Sequence, residues 1–188
     1  MKLEITKKER VKMKRTILIS IIMIMSLMGT SLLAQETASA TVDAVVNAAL
    51  TLANTATVDF GTIPATSTPI IDPKGASHTD VGTGVQVGTF TVTGNASSQI
   101  TVTYDATSTL GNGTATMTFT PDLEGHATTQ ASAANVNSGS QVTLDGSGNF
   151  LFWLGGNLGT LSSQATGTYA TDNATNGGGD WNLYIEYN

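Results

Sequence analysis

Apolar residues in this chain recur at every second position, in short runs separated by Gly and Asn, and that spacing commits the chain to strands. Ile100, Val102 and Tyr104 alternate with threonines, Ala115, Met117 and Phe119 follow the turn Gly111-Asn112-Gly113, and Trp181, Leu183, Ile185 and Tyr187 share one face of the last segment. Successive side chains of an extended strand point to opposite faces, so each run has one face to bury. The longest run puts Val42, Ala44, Val46, Ala48, Leu50 and Leu52 on one face and Asp43, Asn47 and Thr51 on the other. That exceeds the usual strand of about 5–6 residues. An Ala-rich helix competes with this reading, because Val45 and Ala49 break the alternation. The β-branched residues and Thr favour the strand.

The remaining segments follow the same logic. Thr57 to Ile63 reads as a strand stopped by Pro64. Residues 64 to 84 hold three of the four prolines and read as a long surface loop with one short strand at Ile70-Ile71. Val85 to Thr93 is a strand whose apolar phase shifts at Gly88, which predicts a bulge there. Residues 121 to 140 read as a polar loop. Gln141–Leu144 and Asn149–Leu154 flank Asp145-Gly146-Ser147-Gly148, a hairpin signal. Short strands at regular spacing with Gly-rich turns, and no repeat of fixed period, predict one all-β, antiparallel sandwich with no long helix after residue 41. Phe60, Phe90, Val92, Val102, Phe119 and Ile185 are its expected core.

The N-terminus predicts export. Lys2, Lys7, Lys8, Arg10, Lys12, Lys14 and Arg15 are seven of the eight Lys and Arg, and an apolar run from Thr16 to Ala34 follows them. A basic head, an apolar stretch and a small residue at its end make a secretory signal peptide over residues 1–34. Cleavage after Ala34 is preferred because it ends the apolar run directly; cleavage after Ala40, behind Ala38-Ser39, also fits. The alternative is a membrane anchor, since the run approaches the roughly 20 residues that span a bilayer. Met13-Lys14-Arg15 and the run after it would make a complete leader alone, so Met1 and Met13 are alternative starts.

Residues 35–188 then form a single domain of 154 residues, large enough for a stable core. It has no Cys, so burial and backbone pairing must hold it without disulfides. Lys74 stands alone against twelve Asp and Glu, a formal charge of −11. Neither nucleic acid nor, once the leader is cleaved, an anionic membrane is an expected partner, because both need cations on the protein.

A search for chemistry returns no catalytic, cofactor-binding or metal-binding residue. The two histidines, His78 and His126, fall in polar loops and read as exposed. There is no thiol, no Gly-x-Ser-x-Gly elbow and no His-Glu-x-x-His motif. The acidic pairs Asp122/Glu124 and Asp172/Asp180 are the remaining candidates, and Asp145-Gly146-Ser147-Gly148-Asn149 lacks the spacing and terminal Glu of a calcium loop. Trp153 and Trp181 would form a sugar platform if exposed. Trp181 shares a face with Leu183 and Ile185 and reads as buried; Trp153 opposes Phe150, Phe152 and Leu154 and faces outward if those three form the core.

Several segments, in order, resemble the bacterial domain of unknown function 4402 family. They are Ala49-Leu50-Thr51-Leu52, Val58-Asp59-Phe60-Gly61-Thr62-Ile63, Gly88-Thr89-Phe90-Thr91-Val92-Thr93-Gly94, Leu154-Gly155-Gly156-Asn157-Leu158, Ala165-Thr166-Gly167-Thr168-Tyr169 and the closing Tyr187-Asn188. The chain departs from the pattern at Thr171 to Asp180, an inserted loop with Gly177-Gly178-Gly179. The family is similar to spore-coat-U and archaic pilus subunit domains. That resemblance implies an immunoglobulin-like, pilin-like sandwich at the cell surface, completed by a strand donated from another copy or a related subunit. The expected function is a non-enzymatic, secreted structural or adhesive protein, with a module binding surface carbohydrate or another ligand as the alternative. The expected location is the cell surface, the exterior of the outer membrane or the medium, reached through the periplasm. No cofactor is expected.

Overall fold

The computed structural model describes Lys12, Thr41, residues 43–171 and residues 177–188. The leader expected over 1–34 lies outside these apart from Lys12, as do Val42 and Asp172. The chain divides into two units, 1–44 and 45–188, and the second holds the fold.

The described strands are β1 Thr51–Ala56, β2 Ile70–Ile71, β3 Gly88–Thr93, β4 Gln99–Tyr104, β5 Ser108–Gly111, β6 Thr116–His126, β7 Ala134–Asn135, β8 Ser140–Thr143, β9 Asn149–Asn157 and β10 Leu183–Tyr187. A 3-10 turn, Gln130–Ser132, interrupts them. All pairings are antiparallel. One sheet runs β1-β3-β9-β6-β5, with β2 added to β9 and β7 to β6; the second runs β10-β4-β8. The protein is therefore the all-β antiparallel sandwich that period-two patterning predicts. Its larger sheet has seven strands and its smaller sheet three.

The core lies between the sheets. Val92 on β3, Ile100 and Val102 on β4, Leu123 on β6 and Phe152 on β9 are fully buried. Phe60 meets Phe119 edge-on, centroids 6.1 Å apart, and both are buried, as are Phe90, Val92 and Val102. Ile185 packs on this core but stays half-exposed.

Four local expectations are corrected. Thr57–Ile63 makes one bridge, Asp59 to Gln86, rather than a strand: Asp59 Oδ1 accepts the Gly61 N–H at 2.8 Å and turns the chain. Phe60 is buried all the same. β3 begins at Gly88 with unbroken register to β9, so no bulge forms there; a Cβ at Gly88 would lie 2.8 Å from Val58 Cγ2, so close packing is what demands glycine. Residues 121–140 are not a loop throughout. β6 continues through Pro121 to His126, paired with β9 from Thr120 to His126, and Leu123 and Val136 are buried. Finally, Asp145–Gly148 is a tight turn but no hairpin, because β8 pairs with β4 while β9 pairs with β3 and β6. The turn carries the chain from one sheet to the other. Gly148, at φ +81°, is required there, since a Cβ would strike the Gly94 carbonyl oxygen.

Candidate functional site

The sandwich is closed in the middle and incompletely covered along one side. β1 ends one sheet and β10 ends the other. On β10, Leu183, Ile185 and Tyr187 point inward yet remain half-buried, and so does Leu52 on β1. β10 pairs with β4 from Leu183–Tyr104 to Tyr187–Ile100, and no described strand pairs with its other edge. Such an edge offers unpaired N–H and C=O groups to an added strand.

A corner of side-chain hydrogen bonds joins this edge to the approach to β1. The Tyr187 hydroxyl accepts the Asn95 N–H at 2.7 Å and donates to the Ala48 carbonyl at 3.0 Å. Asn95 Oδ1 accepts the Ala48 N–H, and its Nδ2 donates to Asn47 Oδ1, each at 2.6 Å. Residues 43–50 form no strand, which corrects the long first strand expected from 42 to 52: only Thr51 and Leu52 of it pair, at the start of β1 against β3. Val45 and Val46, ahead of the anchored Asn47, are 90% and 91% exposed.

The other candidates separate. Trp181, half-buried rather than buried, packs against the core, 6.0 Å from the Phe90 ring and 5.7 Å from Tyr104, with Nε1 donating to the Asp105 carbonyl. Trp153 does face away from Phe152, but it is only 7% exposed, so it offers no platform. The segment Ile71–Gly75 crosses that outer face: a Cβ on Gly155 would meet the Ile71 carbonyl oxygen and lie 2.8 Å from Pro73 Cδ. Lys74 then reaches Glu124, directly opposite Trp153 in the ladder, with Nζ 3.7 Å from Oε2.

Each histidine is half-buried rather than exposed, and each uses Nδ1 locally. His78 accepts the Asp72 N–H, and His126 accepts those of Thr128 and Thr129. Asp145 Oδ1 accepts the Ser147 and Asn149 N–H groups, both at 2.8 Å, and those bonds hold its carboxyl below the usual range. Burial pushes the Asp122 carboxyl up, helped by the charge of Asp72. Burial also raises Glu124, against the opposing pull of Lys74. Among the described residues no three His, Asp or Glu converge in metal-binding geometry. Sequence reading missed the Lys74–Glu124 pair, since fifty positions separate partners that only the crossing at Gly155 brings together.

A separate cleft of about 630 Å³ opens where residues 58–65 face residues 158–169. Phe60, Met117, Leu158 and Leu161 form its floor, and Gln164 and Tyr169 stand on its wall. Gln164 Nε2 donates to the Thr116 carbonyl at 3.2 Å and to the Tyr169 hydroxyl at 3.0 Å, and that hydroxyl donates to the Ala165 carbonyl at 2.8 Å.

These features define an all-β antiparallel sandwich whose β10 edge has no further strand partner among the described residues. The family is more specific: the sequence profile of a domain of unknown function, number 4402, matches residues 50–175, and the chain belongs to that family. Comparison with curated proteins and with solved structures found no match in either.

Proposed function

We propose that this protein is an exported, non-enzymatic structural or adhesive component of the cell surface, a pilus-like subunit that joins a second copy or a related subunit by strand addition. The observation that carries the reading is the free edge of β10, whose inward residues Leu183, Ile185 and Tyr187 are left half-covered. The donated strand is residues 38–46, ahead of Asn47 and Ala48, which are tied to Asn95 and Tyr187 of the same chain. Its alternating apolar positions Val42, Ala44 and Val46 match the need of that edge, and Val45 and Val46 are almost fully exposed. Added backbone pairing supplies affinity, while alternate side chains supply specificity. The mature charge of −11 keeps unassembled copies apart in solution. The basic, then apolar, N-terminus supplies the route out of the cytoplasm, with residues 1–34 as leader and 35–188 as the mature domain.

Deleting residues 35–46 tests this. The truncated protein should sediment as a monomer where the mature protein forms larger species, and a peptide spanning residues 38–46 should bind it. Mature protein that stays monomeric at high concentration, with this segment docked on its own sheet, would leave a lone secreted module instead.

A further inference from the structure

We infer that the cleft between residues 58–65 and 158–169 is a binding site for a neutral carbohydrate, separate from the assembly edge. The argument begins with size. At about 630 Å³ the cleft lies within the range of roughly 300–1,000 Å³ typical of small-molecule sites. Its floor is apolar, through Phe60, Met117, Leu158 and Leu161, while threonines 62, 166 and 168 bring hydroxyl groups to its rim. A pyranose ring has the same division, with C–H faces and a girdle of hydroxyls.

The polar groups are set in advance. Tyr169 is held by its own hydroxyl on the Ala165 carbonyl, so its ring is fixed before a ligand arrives. The Gln164 amide is held through Nε2 by Thr116 and Tyr169, which leaves Oε1 as an acceptor without a partner among the described residues. Asp59 Oδ1 is occupied by the Gly61 N–H, leaving Oδ2 as a second acceptor. Groups locked before binding lose little freedom on complex formation.

Charge and desolvation exclude the other ligand classes. The lining holds no Lys, Arg or His, and Asp59 is its single carboxylate. An anion would therefore find no cationic partner and would face the Asp59 carboxylate in a chain of strong negative charge, and a calcium ion would lack most of its six to eight oxygens. A wholly apolar ligand would bury Gln164 Oε1 and the threonine hydroxyls without partners, which is costly. A ligand with many neutral donors and some apolar surface satisfies all of these groups together.

The test is an NMR titration of the uniformly ¹⁵N-labelled mature protein with maltose, lactose and chitobiose as probes. At least one should shift the backbone signals of Leu161, Gln164, Thr166 and Tyr169, with a dissociation constant of about 0.1–10 mM, the range of a few hydrogen bonds on a small ligand. Gln164→Ala should weaken that binding at least tenfold, and Gln164→Glu, which keeps the shape but adds charge, should also weaken it. Tyr184→Ala, on the exposed face of β10, should leave it unchanged, as should deletion of residues 35–46. Shifts confined to β10, equal binding by Gln164→Ala, or no shift with any probe at about 50 mM, well above that range, would each overturn the assignment. The assembly reading would stand in all three cases.

Discussion

The centre of the sandwich and its β1–β10 side are built from the same kind of residue, yet only the centre is finished. Val92, Leu123 and Phe152 are sealed between two sheets, each flanked by strands on both sides. Leu52, Leu183 and Ile185 have the same inward phase but stop half-covered, because β1 and β10 each have one strand neighbour. Inward phase is a property of a strand, whereas burial is a property of what lies beside it. An apolar face at a sheet end thus marks either a small loss of stability or a place for another chain.

Truncation should separate the two regions most sharply. Phe152→Ala should cost about 3–5 kcal/mol and Phe90→Ala a similar amount, while Ile185→Ala, already half-exposed, should cost about 2 kcal/mol or less. Urea unfolding measures all three. Equal costs at Phe152 and Ile185 would mean that the β10 side is as complete as the centre.

Next in size is the corner that carries the chain between sheets. Gly148→Ala would force a side chain into left-handed backbone against the Gly94 carbonyl and should cost roughly 1–3 kcal/mol. A neutral result would show that the turn relaxes without disturbing β8 or β9.

The anchor at the open edge comes third. Tyr187→Phe removes the hydroxyl that joins Asn95 to Ala48 and should cost about 1–2 kcal/mol. Hydrogen exchange at the Asn95 and Ala48 amides should speed up, with the amides of β9 unaffected. Uniform acceleration would instead make this corner part of the main cooperative unit.

The smallest effect concerns pH. Asp122 and Glu124 have native pKa values raised above their unfolded ones, so the native state holds their protons more tightly. Their contribution to stability is fully present below about pH 4, the ordinary carboxylate value, and is lost as pH rises through the raised native values. Asp145, lowered in the native state, works in the opposite sense: its contribution holds above the same value and fades as pH falls further. Asp122→Asn should therefore flatten the decline in stability as pH rises above about 4, the ordinary carboxylate value. A steeper decline would show that the Asp122 charge is stabilised by Asn135, its hydrogen-bond partner, more than burial penalises it.

The strands themselves were legible because their signal is local. Alternation at Ile100–Tyr104 and Leu183–Tyr187, with glycine and asparagine between runs, determined all-β structure, and five of the six expected core residues are buried. Asp145-Gly146-Ser147-Gly148 was legible as a turn, since the Asp side chain and the glycines close it within five residues. That the two strands it joins belong to different sheets was not legible. Trp153 could be read as facing outward but not as buried, because its cover comes from a segment about eighty positions earlier. The cleft was invisible for the same reason: Asp59 and Gln164 acquire a shared surface only when distant segments meet. Sequence alone determined the all-β class, the turn at Asp145–Gly148 and which face of a strand seeks burial, since φ/ψ preference and side-chain period act over a few neighbouring residues. Only the tertiary structure decided sheet membership, the covering of Trp153 and the open edge of β10, because each depends on pairing between segments whose separation along the chain leaves no periodic trace.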